Sequence, residues 1–182
     1  MRQTLKTYRP FLVFLAKFVS TYAVLTLLYA LYLAPYEHRS SPDGISMAVA
    51  RQTENLIEFF GADARLSPQP GKPWVRLHYN GRYVARIIEG CNAVSVIILF
   101  ASFVVAFAGR WKSTLIFILA GSLVIYLSNI VRIAVLCFSL YHWPHLEHLL
   151  HGVAFPLIIY SIVFILWVIW VNRFSYHARK NF

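Results

Sequence analysis

The chain has 182 residues, of which 59% are hydrophobic and only 13% are charged. Soluble domains carry about 25% charged residues, so this composition excludes an ordinary water-soluble domain and indicates an integral membrane protein. The formal net charge is +10, but much of the excess lies beside apolar stretches, where lipid headgroups account for it. We therefore expect a lipid bilayer and no nucleic acid as partner. Two cysteines are too few for a disulfide framework.

Four apolar segments are long enough to be membrane spans, at residues 11–33, 92–108, 114–140 and 153–171. A hydrocarbon core of ~30 Å needs about 20 helical residues, with ~17 as the lower limit, and the second segment is close to that limit. The first segment is too long for the apolar region of a signal peptide, so we interpret it as an anchor. The predicted fold class is mainly α: a polytopic membrane helix bundle of about four transmembrane helices, forming one integral membrane domain over residues 1–182.

Basic residues in short stretches predict the orientation of this bundle. With four spans, both termini and the 109–113 turn share one side. That side holds Arg2, Lys6, Arg9, Arg110, Lys112, Arg173, Arg179 and Lys180. The positive-inside rule makes it cytoplasmic, which leaves segments 34–90 and 141–152 on the outside.

The external loop at residues 34–90 has the pattern of a small folded segment. Apolar residues recur at roughly helical spacing over residues 43–60, with Asp43 as N-cap and Gly61 as the stop. Alternating apolar residues then lead to Asn80-Gly81, a strong signal for a type I′ hairpin. We predict an external helix over residues 43–60 and a hairpin over residues 74–88.

Polar side chains recur on one face of the third segment, at Ser122, Tyr126, Asn129 and Arg132. Steps of four, three and three residues place them on the same side of a helix. A charge inside a span costs several kcal/mol by most estimates and normally faces the bundle interior with a partner. The second segment carries a matching set, Cys91, Ser95 and Ser102. Antiparallel packing of the two spans would bring these polar faces together.

A thiol, a guanidinium and imidazoles are expected to converge outside the membrane. Cys91 lies where the polar loop gives way to the second apolar segment, and Arg132 lies about 27 Å along the third span at 1.5 Å per residue. The loop between the third and fourth spans adds His142, His145, His148 and His151. A Cys–His pair is the minimum for an activated thiolate nucleophile. A neighbouring arginine favours the thiolate and can stabilise an oxyanion.

These residues resemble the exosortase/archaeosortase family of membrane cysteine transpeptidases. That family shows a Cys preceded by Glu-Gly or similar at a span boundary, an Arg in an Asn-x-x-Arg context within a later span, and a His four residues before a Gly. The sequence has EGCNA with Cys91, NIVR with Arg132 and HLLHG with His148. The resemblance covers residues 89–171, and the chain length and the EGCNAVSVIILF stretch resemble the short exosortase F branch of Bacteroidetes-type bacteria.

The resemblance implies a cysteine peptidase or transpeptidase of the bacterial inner (cytoplasmic) membrane, with its active site facing the periplasm. Its substrates would be exported proteins with a C-terminal sorting signal, cleaved through an acyl-enzyme on the cysteine, with a possible amine as acceptor. No cofactor and no metal are expected. The implied catalytic residues are Cys91, Arg132 and His148, and the implied supporting residues are Asn129, Glu89 and His151. His151 competes with His148 for the role of general base, and only the spacing to Gly152 favours His148. Because Gly152 has no side chain, we expect it to permit a close approach of its helix to the neighbouring elements.

Other interpretations of the same residues remain open. Arg132 pairs with Glu89 or with backbone carbonyls in a purely structural reading. The four histidines at steps of three, with Glu147, would make a membrane metalloprotein, although no His-Glu-x-x-His motif is present. A non-catalytic assembly or anchoring protein is the third possibility. Cys137 has no polar neighbour one helical turn away, and we interpret it as core packing.

Overall fold

The computed structural model describes residues 2–107 and 109–174, and their side chains except those of residues 2–7 and of His151. In this part of the chain, three helical stretches are long and apolar enough to cross a membrane: Tyr8–Arg39, Trp111–His142 and Pro144–Phe174. A shorter apolar helix covers Val94–Ala106, and a three-stranded sheet completes the fold. The prediction of a mainly α membrane bundle is confirmed.

The second apolar segment forms a shorter helix than its hydropathy indicates. Helix α3 (Val94–Ala106) has 13 residues and is therefore about 20 Å long, less than the ~30 Å of a hydrocarbon core. The residue before it, Ala93, has the left-handed conformation with φ 64°, so the helix cannot extend further towards Cys91. The bundle of about four helices thus consists, over the described residues, of three long helices and one short one.

The long helices enclose α3. Helix α1 (Arg2–Arg39) packs along it, with the Phe14 ring centroid 4.6 Å from that of Phe107. Helix α4 (Trp111–His142) also packs against α3, and helix α6 (Phe155–Ile169) packs against both. Between α4 and α6 the chain makes a 3₁₀ turn, one α-helical turn that we call α5 (Glu147–Leu149), and a π-helical turn over Leu150–Ala154.

Aromatic and apolar side chains fill the half of the bundle at the Trp111 end of α4. The buried residues of this cluster are Ala93, Phe100, Val104, Ile125, Val163 and Trp170. Two glycines allow the close packing: a Cβ on Gly121 would overlap the ring of Phe100, and a Cβ on Gly109 would lie 2.9 Å from the Trp170 ring. Real Cβ contacts are never that short, so this half has no room for larger residues at either position.

A helix and a hairpin occupy the predicted positions in the loop between α1 and α3. Helix α2 covers Gly44–Phe59, and the Asp43 carboxylate caps it by accepting hydrogen bonds from the backbone N–H groups of Ile45 at 3.0 Å and Ser46 at 2.9 Å. Gly61, just past the helix end, has φ 85°, a conformation that glycine adopts without steric cost.

The sheet contains one strand more than the predicted hairpin. Strands β1 (Ala64–Pro68), β2 (Val75–Tyr79) and β3 (Arg82–Ile87) pair antiparallel in the order β1-β2-β3. The turn between β2 and β3 has φ 47° at Asn80 and 76° at Gly81, as a type I′ turn requires. The alternating apolar residues of β2, Val75, Leu77 and Tyr79, are all buried.

The His142 end of α4 serves as a wall for this small segment. Ile130, Ile133 and Cys137 of α4 form one hydrophobic cluster with buried residues of α2 and the sheet, and Cys137 is completely buried there. The interpretation of Cys137 as core packing agrees with this environment. Since α4 has 32 residues, about 48 Å in length, it is long enough both to cross a membrane and to support the sheet.

Candidate active site

Cys91 lies at the end of a short turn that connects β3 to α3. The turn is a 3₁₀ helix over Glu89–Cys91, in which the backbone N–H of Cys91 donates to the Ile88 carbonyl at 2.9 Å. The cysteine is half-buried. It therefore lies before the first turn of α3 and outside the regular helix, at the junction of the bundle and the sheet.

Asn92 holds this junction in place. Its side chain is 1% exposed; Nδ2 donates to the Tyr29 hydroxyl of α1 at 2.7 Å and to the Ser46 hydroxyl of α2 at 3.2 Å. Its Oδ1 accepts from the backbone N–H of Val94 at 2.9 Å. Because one buried side chain ties α1, α2 and the start of α3 together, the position of the neighbouring Cys91 is fixed by three elements.

Asn129 connects Cys91 to Arg132. Asn129 is 1% exposed, and its Nδ2 donates to the Cys91 carbonyl at 2.7 Å while its Oδ1 accepts from Nη1 of Arg132 at 3.2 Å. The Nε of Arg132 is buried and has no hydrogen-bond partner among the described residues. Buried donors are almost always paired, so this unpaired donor is an exception at the wall of the site.

Cys91 and Arg132 line the same cavity, which has a volume of about 440 Å³. One wall is the whole of β3, a second is the outer part of α4 at Ile133, Leu136 and Leu140, and Pro144 and Glu147 close a third side. Arg82, Arg132 and Glu147 line this space, and Arg86 lines it as well, although its guanidinium lies over the Trp74 ring of a second cavity, 5.6 Å from the ring centroid. The cavity is therefore positively charged and brings together a thiol and an arginine donor.

The predicted supporting residue Glu89 lies elsewhere. It lines the second cavity, of about 390 Å³, together with Tyr36 and Asp43. The structural pairing of Arg132 with Glu89 is not observed, because the hydrogen bond of Arg132 goes to Asn129. In the described part of the chain, the one ion pair joins Arg65 to Asp63 on the surface.

No described histidine side chain lines the cavity that holds Cys91. His148 belongs to α5 and is exposed, whereas its neighbour Glu147 faces the cavity. No described histidine side chain hydrogen-bonds to Cys91, and the side chain of His151 lies outside the described residues. His142 packs instead against aromatic rings, with its centroid 4.5 Å from that of Phe138. The assignment of the base to His148 stays a prediction.

The metal-binding interpretation finds no support among the described side chains. No group of three or more histidine, cysteine, aspartate or glutamate residues converges there in a way that would hold an ion.

Two details of the sequence interpretation need correction. Ser95 is exposed, and the buried Ser102 donates to the Ile98 carbonyl of its own helix at 2.7 Å, so Cys91 is the member of the matching set with a described hydrogen bond to the polar face of α4. The expected close approach at Gly152 is also absent, since a Cβ there would meet nothing within 4 Å in the described structure.

Sequence reasoning missed three contributors to the site: the roles of Asn92, of the two β3 arginines and of Glu147. The string EGCNA does contain Asn92, but nothing in a single sequence shows that it bonds to residues 46 and 63 positions away. The arginines Arg82 and Arg86 follow the hairpin turn. That they line the cavity depends on the position of β3 in the fold, which the sequence does not show.

The fold and the cavity define a multi-pass membrane protein with a half-buried thiol beside an arginine at the junction of its helix bundle and a small sheet. The family model for the transmembrane exosortase (Exosortase_EpsH) matches residues 11–169. The chain therefore belongs to the transmembrane exosortase family, and this membership supports a general role as a membrane transpeptidase. No curated protein and no solved structure matches the chain.

Proposed function

We propose that this protein is a cysteine transpeptidase or protease that cleaves C-terminal sorting signals of exported proteins, with Cys91 as nucleophile. The observation that carries the proposal is the link Cys91–Asn129–Arg132 at the wall of one cavity. A thiol alone in a membrane protein is commonly inert packing, as Cys137 illustrates. A thiol held at a fixed position in the same cavity as a partly buried arginine is the arrangement that acyl transfer needs.

The reaction proceeds in two steps. The Cys91 sulfur attacks the scissile carbonyl, its proton passes to a base, and the carbonyl oxygen becomes an oxyanion to which the N–H groups of Arg132 donate. Collapse of this intermediate breaks the peptide C–N bond, and the base returns the proton to the leaving amine. An amine acceptor or water then attacks the thioester, which releases the acyl group and restores the thiol.

The general base in this proposal is His148. The exposed turn Glu147–Leu149 already contributes Glu147 to the cavity, so a rotation of this one turn on substrate binding would bring the next residue inwards. Catalytic hydrogen bonds are often long before substrate binds. His151 is the competing base, and the adjoining π-helical turn over Leu150–Ala154 is a type of irregularity that frequently occurs at functional sites.

The cavity is proposed to open on the periplasmic side of the bacterial inner membrane. The basic Arg110–Lys112 turn would then face the cytoplasm. The test uses a background with both native cysteines replaced by alanine and a single cysteine introduced at Ser113 or at Ser67. A membrane-impermeant maleimide applied to cells with a permeabilised outer membrane should label the Ser67 variant and not the Ser113 variant. The reverse labelling would overturn the orientation and the assigned side of the chemistry.

The direct test of the proposed function is to trap the acyl-enzyme. The unaltered protein, mixed with a protein that carries a candidate sorting signal and quenched rapidly with acid, should hold a thioester, and mass spectrometry of the tryptic peptide should place the adduct on Cys91. Hydroxylamine should remove it. An adduct on another residue, or none while the sorting signal is still being cleaved, would contradict the assignment of Cys91. The exosortase F-like branch is a separate expectation, which the identity of the cleaved signal would test.

A further inference from the structure

The two edges of the small sheet differ. Strands β1 and β3 are its outer strands. Edge β1 is closed: the backbone N–H of Leu66 donates to the Glu54 carboxylate of α2 at 2.9 Å, and Pro68 has no N–H to offer. Proteins normally block exposed strand edges by such means, because a free edge is a template for pairing with another chain.

Edge β3 is left open towards the cavity that holds Cys91. Every residue of β3 lines this cavity, and among the described residues no backbone hydrogen bond joins β3 to an element other than β2. Two residues after β3 ends at Ile87, the chain enters the turn Glu89–Cys91. The open edge is therefore directly continuous with the proposed nucleophile.

The register identifies the residue whose backbone is free. The N–H of Leu66 points away from β2, so the pair Leu66–Leu77 is not hydrogen-bonded. The N–H and C=O of Leu77 therefore point to the opposite side, towards β3, where they bond to Ala85. Hydrogen-bonded and non-hydrogen-bonded pairs alternate along an antiparallel ladder, so the next pair, Arg76–Arg86, is not hydrogen-bonded. The N–H and C=O of Arg86 therefore point out of the sheet edge.

A bulge and the local charge restrict what can pair there. Val84 has no partner in β2, because His78 pairs with Tyr83 and Leu77 pairs with Ala85. Such a bulge twists the strand and interrupts a ladder, so regular pairing is confined to the half of β3 nearer Cys91. The excess of arginine over glutamate around the cavity attracts a strand with acidic side chains and repels a basic one.

We propose that an extended, acid-containing segment of the polypeptide substrate pairs with the free edge of β3 through the backbone of Arg86, and that this pairing carries the scissile carbonyl to Cys91. Addition of a strand to an exposed sheet edge is a known mode of peptide recognition, in which main-chain hydrogen bonds supply the affinity. The inference rests on the proposed function only in taking a polypeptide as the substrate.

The test measures binding of a defined peptide to the full-length protein in detergent. The probe is a fluorescent, acetylated and amidated octapeptide of alternating glutamate and valine, followed by fluorescence anisotropy. A second peptide has the same sequence with the amides of alternate residues N-methylated, which removes the hydrogen bonds along one edge. A third has lysine in place of glutamate. We expect the first peptide to bind at least 10-fold more tightly than either of the others.

A pair of protein variants separates the backbone from the side chain. Arg86→Ala removes the guanidinium and keeps the N–H, whereas Arg86→Pro removes both, at an edge position of the kind where proline is tolerated in sheets. Arg86→Pro should bind the glutamate peptide at least 10-fold more weakly than Arg86→Ala. Equal affinity of the two variants with unchanged thermal unfolding, or equal affinity of the N-methylated and unmodified peptides for the unaltered protein, would overturn the proposal.

The same measurements on Cys91→Ala keep this inference distinct from the proposed function. Binding requires no thiol, so Cys91→Ala should bind the glutamate peptide as the unaltered protein does. If Cys91→Ala still cleaves sorting signals, the nucleophile assignment is wrong while the binding result stands. If the glutamate peptide binds no better than the lysine peptide, edge pairing by an acidic segment is wrong, whatever the outcome at Cys91.

Discussion

The two ends of α4 use the same helix for opposite purposes. At the Trp111 end, aromatic rings fill the space between α3, α4 and α6 so closely that Gly109 and Gly121 have no room for a methyl group. At the His142 end, one face of α4 packs against α2 and the sheet, while another face borders a cavity of about 440 Å³. The tight end fixes the helix, and the open end presents Arg132 to the cavity from a rigid support, while its partner Asn129 is buried.

The two faces of α4 at its His142 end also distinguish the two cysteines. Cys137 is completely buried in the hydrophobic cluster at the sheet, and Cys91 is half-buried at the cavity. A buried thiol behaves as a small apolar group, while a partly exposed thiol near a cation is placed to react. The predictions below test whether this division between a packed region and a reactive region holds.

The largest effect is expected for Cys91. Cys91→Ala and Cys91→Ser should abolish processing of a substrate with a cognate sorting signal, because no other described thiol reaches the cavity, and both should still insert into the membrane. Processing is measured by the mobility shift of the substrate on gels. The matched control is Cys137→Ala, which should retain most activity. Substantial processing by Cys91→Ala would remove the distinction between the two regions.

Arg132 should be nearly as sensitive, even to a conservative change. Its guanidinium donates to Asn129 through Nη1 and retains Nε as a free donor, a division that a single ammonium group cannot reproduce. Loss of an oxyanion donor typically costs a factor of about 10²–10³ in kcat, and we expect a loss of that order for both Arg132→Lys and Arg132→Ala. If the lysine variant keeps near wild-type rates, the residue supplies charge alone.

His148 and His151 should differ from each other. General bases contribute about 10²–10⁴-fold, so His148→Ala should be slow at pH 7 and should recover partly at higher pH, where a thiol ionises without help. His151→Ala should keep most activity at both pH values. A slow His151→Ala variant with an active His148→Ala variant would move the base to His151. Activity in both variants would contradict the Cys–His mechanism.

The smallest effect should appear in stability rather than in chemistry. Gly121→Ala forces a methyl group into the ring of Phe100, and overpacking of this kind typically costs about 1–3 kcal/mol, which thermal unfolding in detergent would detect. Gly152→Ala is the control, because a Cβ there meets nothing within 4 Å. Adding Phe100→Leu to Gly121→Ala should restore part of the loss. Equal unfolding temperatures for the two alanine variants would show that the Trp111 end is not tightly packed.

Local patterns were sufficient for most of the secondary structure. The Asp43 cap, the Gly61 stop and the Asn80-Gly81 turn each depend on backbone preferences within about four residues, and all three are observed. Strand β1 was missed because its sequence, ARLSP, has no clear alternation and ends in proline. The shortness of α3 was missed because hydropathy does not report the left-handed conformation of Ala93.

The sequence by itself determined that this is a membrane protein, that Arg132 shares a polar helix face with Asn129, and that a thiol lies at a boundary. Only the tertiary structure decided that Asn129 joins the two, since its bond to Cys91 spans 38 positions. The same holds for Asn92, whose partners come from α1 and α2, and for the open edge of β3. The physical reason is that side-chain periodicity fixes which face of a helix is polar, whereas a cavity depends on what distant segments leave unfilled.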